Sequence, residues 1–523
     1  MILNRFVSSY RRQRYKISNR DENFLYYRSF YFWRKCKPLI QQHKNLYFSL
    51  NKILLLLIMS SLIFLSIYFV ALLSNNNEFA IAVNKTIPGI FFLILLAAVY
   101  LLIKNNKMLI FTPIICFFCA CALYFGFGPL IYHYGNVFSV WYVDQYFSIS
   151  ERDLLRTNVL NTMACLFVIT GFLLGIKIIR YKLPVQESSI KSINLKKIIL
   201  FFLFIGVFIK YLFYIPYVFG LLNYTLPGSV MAFQYMIIIS IIPMAVAIRG
   251  GHRFWKIPLV LVILSELTIS ILEFSKISFL ITLIMSVMSF LIIKRRLWIV
   301  ATGAITALMM YYLITPIIPY GREQIIRAHG PELRAGIAER IEILTDYFFW
   351  GDKYSIGSSP RHQAWWTRLN YANAQTYAMS CYENGLKGNS MSFALYLPIP
   401  RILWPGKPDI SQIGRQFNYL ITRNPFTASA PGFFAEAYWN GGWLLVLVSC
   451  LYVGIIFSIF GNYAIRQLAQ SRYYLFPVVL LGMIMGFRPD GWFAMEYIGT
   501  PLIALIMHLG LNFIFRIKAL NKI

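Results

Sequence analysis

The residues of this chain best suited to chemistry are arginines concentrated in one polar stretch, residues 320–440. Arginine stays charged at neutral pH, and its planar guanidinium binds phosphate oxygens two at a time. The stretch could therefore bind a phosphate or a diphosphate without a metal ion. Its nine arginines are Arg322, Arg327, Arg334, Arg340, Arg361, Arg368, Arg401, Arg415 and Arg423.

These arginines fall into two groups. Arg327, Arg334 and Arg340 alternate with glutamates, which favours ordinary salt bridges on a helix surface. A second group has fewer acidic neighbours and is the better candidate for binding phosphate, although a solvated surface role stays open. This group consists of Arg361, Arg368, Arg401 and Arg415. Arg322, at the start of the stretch, and Lys276, at an upstream break in apolar sequence, join the candidates. A lysine that extends to the membrane interface is the alternative for Lys276.

For proton transfer the first candidate is Glu436, in the apolar context of residues 434–439, and the second is His362. A carboxylate in apolar surroundings is expected to have a raised pKa, which suits a general base. The alternatives are a buried partner of an arginine for Glu436 and a structural histidine for His362.

Three aromatic residues, Trp404, Tyr438 and Trp439, could stack on sugar rings, or they could belong to the aromatic belt at a membrane interface. The sequence has no P-loop, no dinucleotide-binding glycine motif and no His/Cys cluster at metal-ligand spacing. We therefore expect neither a cofactor nor a metal.

The elements that must position these residues are membrane helices. Of the 523 residues, 58% are apolar and only 13% are charged, which excludes both an ordinary soluble enzyme and a disordered chain. Apolar runs long enough for a bilayer, about 20 residues, recur twelve times. They lie near 53–73, 87–103, 108–131, 158–176, 198–219, 230–248, 257–273, 277–293, 297–319, 441–461, 473–487 and 498–515. The sequence predicts an all-α polytopic helix bundle.

The net charge of +29 follows this topology. With a cytosolic N-terminus, nearly all of the positive excess falls in cytosolic loops, where the only acidic residues are Asp21, Glu22 and Glu187. This positive-inside pattern explains the charge without nucleic-acid binding. It predicts cytosolic termini and an external loop at 320–440.

The predicted organisation has four parts. A basic cytosolic segment, 1–52, precedes spans one to nine at 53–319. The external loop, 320–440, is expected to carry the active site, and 441–523 holds the last three spans and a cytosolic end. Within the loop we predict helices at 331–347, 361–383 and 410–421. Two charges inside predicted spans, Lys210 and Glu266, are expected to form a structural pair.

One motif resembles a known family. The run Pro400-Arg401-Ile402-Leu403-Trp404-Pro405-Gly406-Lys407-Pro408 resembles a signature of bacterial O-antigen and exopolysaccharide repeat-unit polymerases, which are related to O-antigen ligases. The segment Glu436-Ala437-Tyr438-Trp439-Asn440-Gly441-Gly442 is similar to a second segment of that family, with Ala435 where glycine is usual. Ser275-Lys276 resembles a Ser-Arg pair, with lysine in place of arginine.

The resemblance implies a metal-independent inverting glycosyltransferase at the outer face of the bacterial inner membrane. Such an enzyme joins oligosaccharide repeat units carried on undecaprenyl diphosphate, and fixed positive charge stabilises the departing diphosphate. Its partners would be membrane lipid, a chain-length regulator and a flippase of the same pathway. Two alternatives remain: a ligase that transfers finished glycan to another acceptor, and a flippase or exporter of lipid-linked glycan.

Overall fold

The protein is described as a computed structural model in which every regular element of the described residues is a helix. The all-α prediction is therefore confirmed. The described residues are 39–74, 76–179, 195–222, 233–294, 298–330, 334–350, 364–399, 403–404, 406–408, 411–423 and 428–520.

Ten helical stretches within these ranges are long and apolar enough to cross a membrane. They are Leu50–Leu73, Asn77–Asn105, Pro113–Tyr134, Glu151–Ile178, Leu195–Val218, Arg253–Leu272, Lys276–Lys294, Ala301–His329, Phe433–Ala469 and Ala494–Phe515. Two shorter apolar helices, Met236–Arg249 and Tyr473–Gly486, occupy the positions of the sixth and eleventh predicted spans. All twelve predicted segments thus correspond to apolar helices, and the chain is a multi-pass membrane protein.

The centre of the bundle is a close pair of helices, Glu151–Ile179 and Phe433–Ala469. A Cβ atom on Gly171 would lie 2.2 Å from the Leu451 carbonyl oxygen, and one on Gly454 would lie 2.2 Å from the Val168 carbonyl oxygen. The two backbones can approach this closely only because a glycine stands on each helix. Small residues serve the same purpose wherever membrane helices pack tightly.

The long connection between the ninth and tenth predicted spans defines one side of the bundle, which we call the loop face. Its described helices are Ile337–Trp350, Ala364–Thr367, Ala372–Glu383, Phe393–Tyr396 and Ser411–Thr422. The first and last confirm two predicted helices with shifted ends. The Ala372–Glu383 helix enters the bundle, where Gln375 and Asn161 exchange side-chain hydrogen bonds of 2.8 and 3.0 Å.

The helix predicted at 361–383 is interrupted. The described part consists of two helices separated by a turn at Arg368 and Leu369. The side-chain oxygen of Asn370 accepts a 3.2 Å hydrogen bond from the amide of Ala372, the first residue of the second helix. The Leu369 carbonyl also packs closely on Gly128. A Cβ atom on Gly128 would lie only 2.2 Å from the Leu369 carbonyl oxygen.

A second break lies in the Phe433–Ala469 helix. Gly441 and Gly442 have non-helical backbone angles, with φ of 63° at Gly442, a conformation that favours glycine. The residues before this kink form a short helix that carries Glu436. The predicted span began at 441, so the kink marks the point where the predicted external loop ended.

Candidate functional site

Three cations on the loop face lie close enough for their charges to act on one another: Lys276, Arg322 and Arg368. Lys276 is the first residue of the Lys276–Lys294 helix, and Arg322 lies on the Ile317–His329 helix. Arg368 occupies the turn after Ala364–Thr367 and is exposed. We call these three residues the cationic cluster. All three were predicted from the sequence as diphosphate ligands, and in the structure they lie within electrostatic range of one another.

A strained turn positions two members of the cluster. Phe274, two residues before Lys276, has a φ of 51°, which is unfavourable for a bulky residue. The Phe274 carbonyl accepts a 2.9 Å hydrogen bond from Nε of Arg322. This contact fixes Arg322 against the turn from which the helix of Lys276 begins.

A tyrosine connects Lys276 to the segment that carries Arg368. The Lys276 ammonium donates to the Tyr311 hydroxyl at 2.8 Å, and that hydroxyl donates to the Trp365 carbonyl at 3.2 Å. Trp365 lies three residues before Arg368 on the same short helix and turn. The cluster is therefore assembled from three separate parts of the chain.

None of the three cations forms an ion pair with a carboxylate of the described residues. Positive charges this close repel one another, and at a membrane boundary such charges are costly unless they are paired or hydrated. An anion bound among them would relieve that repulsion. The arrangement can thus bind a multiply charged oxyanion such as a diphosphate.

Asp490 is the carboxylate whose charge acts on Lys276. Its Oδ2 accepts a 3.1 Å hydrogen bond from the Tyr371 hydroxyl, and its Oδ1 lies 3.4 Å from Nε of Arg488. Oδ1 is buried and accepts no hydrogen bond from the described residues. Burial, together with the charge of Asp490, raises the pKa of Tyr371 well above its ordinary value, so the phenol keeps its proton and donates it to the carboxylate.

A further tyrosine links Asp490 to the cationic cluster. The ring of Tyr124 packs edge-to-face on Tyr371 with centroids 5.3 Å apart. Tyr124 also lies within electrostatic range of both Tyr311 and Asp490. Hydroxyls and one carboxylate therefore accompany the three cations on the loop face. Asp490, Tyr124 and Tyr311 could not be selected from the sequence, because no local motif marks them.

Glu436, the first predicted base, is completely enclosed by protein. Its Oε1 accepts a 2.7 Å hydrogen bond from the Ser390 hydroxyl, and its Oε2 accepts a 2.6 Å hydrogen bond from the Phe493 amide. No ion pair joins it to an arginine of the described residues, and the alternative of a buried partner for an arginine stays a prediction, since Arg361 and Arg401 lie outside those residues. In this structure the carboxylate connects two loops rather than facing an open site.

Of the three residues predicted to stack on glycan, two are buried and one is exposed. Trp439 is buried, donates a 2.8 Å hydrogen bond to the Leu386 carbonyl and packs against Phe417. Tyr438 is buried between Tyr382 and Trp443. Stacking on sugar does not fit either ring, because protein covers both. Trp404 is exposed beside Tyr396 and remains a candidate.

The other predicted ligands lie apart from the cluster or outside the described residues. Arg415 is exposed on the Ser411–Thr422 helix, and its charge is not among those that act on Lys276 or Arg322. Arg361, His362 and Arg401 lie outside the described residues. Their predicted roles stay predictions.

The predicted pair inside the bundle is present. The Lys210 ammonium donates a 2.7 Å hydrogen bond to Glu266, and both side chains are buried. Lys210 begins a π-helical turn that continues to Tyr214. The pairing prediction is confirmed.

One arginine was assigned wrongly. Arg340 does not lie on the surface, since it is only 1% exposed. Its guanidinium donates to the carbonyls of Leu272 at 2.8 Å and Val218 at 3.2 Å, each the last residue of a membrane-spanning helix. Such terminal carbonyls have no partner within their own helix and attract a cation. In contrast, Arg327 does form the expected ion pair with Glu323, at 2.6 Å.

Comparison with known proteins gives no relative: no family model matches the chain, and no curated protein or solved structure matches it significantly. Within the described residues, no group of three or more His, Cys, Asp or Glu side chains is arranged to bind a metal ion.

Proposed function

We propose that the chain is a membrane glycosyltransferase that polymerises oligosaccharide repeat units carried on undecaprenyl diphosphate. The observation that carries the proposal is the cationic cluster, whose three charges have no ion-pair partner in the described residues. The cluster lies at the ends of membrane helices, where the diphosphate of a lipid carrier would be. The resemblance around Arg401 and Glu436 supports the same class of enzyme.

The distribution of basic residues supports an outward orientation for the loop face. Under the positive-inside rule the basic loops remain cytosolic, as do both termini. The loop face would then be on the periplasmic side of a bacterial inner membrane, where lipid-linked repeat units are joined.

The proposed reaction is an inverting transfer. A hydroxyl oxygen of the acceptor sugar attacks the anomeric carbon of the donor glycan. The bond from that carbon to the diphosphate oxygen breaks, and its electron pair leaves with the diphosphate. Lys276, Arg322 and Arg368 stabilise the negative charge that develops there, which usually contributes strongly to catalysis.

The acceptor hydroxyl must lose a proton, and Asp490 is the described carboxylate best placed to accept it. Its Oδ1 accepts no hydrogen bond from the described residues but is buried 3.4 Å from Nε of Arg488, so the proposal requires that the substrate displace this cover, while the Tyr371 hydroxyl donates to Oδ2. Both oxygens of Glu436 are occupied inside the protein. Asp490 therefore replaces Glu436 as the first candidate base, with His362 as an alternative from the sequence.

The test is the length distribution of surface polysaccharide in a strain that lacks the chain and receives either Arg368→Gln or the matched control Arg327→Gln. Arg327 lies outside the cationic cluster and pairs with Glu323. The proposal predicts single repeat units with Arg368→Gln and normal long chains with Arg327→Gln, at equal protein levels in the membrane.

Other outcomes support the alternatives. Full-length glycan that accumulates on the carrier lipid would indicate a ligase. Repeat units trapped on the cytosolic side would indicate a flippase. Normal chain lengths with Arg368→Gln would contradict the cationic cluster as the catalytic site.

A further inference from the structure

The Ile337–Trp350 helix carries an apolar stripe that the protein leaves uncovered. Ile337, Ile341 and Phe348 are 45%, 51% and 70% exposed, and they follow one another at the spacing of a single helix face. Phe349, about 100° further around the helix and close to Glu342, is 77% exposed. Large apolar residues this exposed in one contiguous stripe indicate a binding surface.

An adjacent side of the same helix packs on the bundle. Ile343, Leu344 and Tyr347 join a small hydrophobic core, distinct from the main core, that includes Phe279 and Leu283 of a membrane-spanning helix. The helix is therefore a fixed element of the protein and not a detached surface segment.

Arg340 attaches this helix to the ends of two membrane-spanning helices. Its buried guanidinium binds the carbonyls of Val218 and Leu272, which are the last residues of those helices on the loop face. The ends of membrane-spanning helices lie near the membrane interface, so a helix held by these two carbonyls has its exposed stripe within reach of lipid.

The remaining side of the helix is polar. Glu342 and Asp346 are exposed and are displaced around the helix axis from the Ile337–Ile341–Phe348 stripe. The helix thus has three faces: one on the protein core, one apolar and uncovered, and one acidic. An apolar face beside a charged face is typical of helices that lie in the membrane plane.

We infer that the Ile337–Trp350 helix lies in the plane of the membrane, with its apolar stripe buried among the lipid acyl chains of the leaflet at the loop face. The partner is bilayer lipid. Because the exposed charged side chains described on this helix are acidic, apolar burial and not attraction to anionic headgroups holds the helix there. This inference does not depend on the enzymatic proposal.

Spin labels on the full-length protein in lipid nanodiscs test the inference. Single cysteines replace Ile341 or Phe348 on the stripe, and Glu342 or Asp346 on the acidic face as matched controls. The parent protein treated with the same label gives the background from native cysteines, of which the described ones are buried except the half-buried Cys119. We expect labels at the stripe positions to be accessible to oxygen and shielded from a water-soluble nickel reagent, with the reverse at the acidic positions.

The same pattern is expected at high salt and in nanodiscs without anionic lipid. Equal nickel accessibility at Ile341 and Asp346 would overturn the inference, because the stripe would then face water. Immobilised labels that are shielded from both reagents, with spin–spin broadening between copies, would also overturn it by identifying a protein interface. Where one cysteine variant prevents folding, Ile337→Cys provides a third position on the stripe.

Discussion

The Lys276 ammonium lies 2.8 Å from the Tyr311 hydroxyl, and this hydrogen bond joins two membrane-spanning helices on the loop face. The same hydroxyl reaches the Trp365 carbonyl, next to the turn that carries Arg368. One tyrosine thus holds two of the three unpaired cations in a common position.

Replacement of Lys276 by Gln should lower the rate of glycan elongation at least about tenfold, which corresponds to roughly 1.4 kcal/mol of transition-state stabilisation. Lys276→Arg keeps the charge and should retain more activity than Lys276→Gln. Tyr311→Phe removes only the positioning contact and should have an intermediate effect. Initial rates in membrane vesicles measure the series. Equal rates for Lys276→Gln and the parent would remove Lys276 from the site.

Asp490→Asn should reduce turnover by roughly 10²–10⁴-fold, the usual contribution of a general base, while carrier binding is kept. Glu436→Gln should have a much smaller effect, since an amide can still accept from the Phe493 amide and bond to Ser390. Single-turnover rates and carrier binding are measured side by side for both variants. The opposite ranking would restore Glu436 as the base expected from the sequence.

Arg340→Met should destabilise the protein by at least about 3 kcal/mol, because each hydrogen bond to a charged donor contributes roughly 1.5–3 kcal/mol. Two of the carbonyls that lose their donor belong to Leu272 and Val218, which are the last residues of membrane-spanning helices. Arg327→Met, which removes an exposed ion pair, should cost less than about 1 kcal/mol. Thermal unfolding in detergent compares the two. Similar midpoints for both variants would contradict the anchoring role of Arg340.

Lys210→Met should cost about 3–5 kcal/mol, because it leaves the buried Glu266 carboxylate unpaired. The double variant Lys210→Met/Glu266→Leu should recover most of that loss and should still make long glycan chains. Thermal midpoints and glycan length in the three strains provide the measurements. A stable double variant that makes no polymer would indicate that the pair takes part in function.

The fold could be predicted from local signals in the sequence, whereas the candidate site could be predicted only in part. Hydropathy located all twelve apolar helices, because crossing a bilayer requires a long apolar run. Residue type alone also selected Lys276, Arg322 and Arg368. Charge spacing failed at Arg340, since the carbonyls it binds are up to 122 positions away in the chain.

The burial of Glu436 and the position of Asp490 could not be read from the sequence either. Glu436 is enclosed by loops near Ser390 and Phe493, which are distant in sequence. Asp490 is placed by Tyr371, 119 residues earlier. Both outcomes depend on how the long loop packs on the bundle, and no local pattern encodes that packing.

The most direct measurement is the binding of a fluorescent polyprenyl diphosphate to the purified full-length protein in nanodiscs, with Arg368→Gln and Arg327→Gln compared at one salt concentration. The account predicts affinity at least tenfold weaker for Arg368→Gln and unchanged for Arg327→Gln, with the corresponding monophosphate binding the parent more weakly than the diphosphate. Equal affinity of the two variants for the diphosphate would contradict the claim that the cationic cluster binds the carrier.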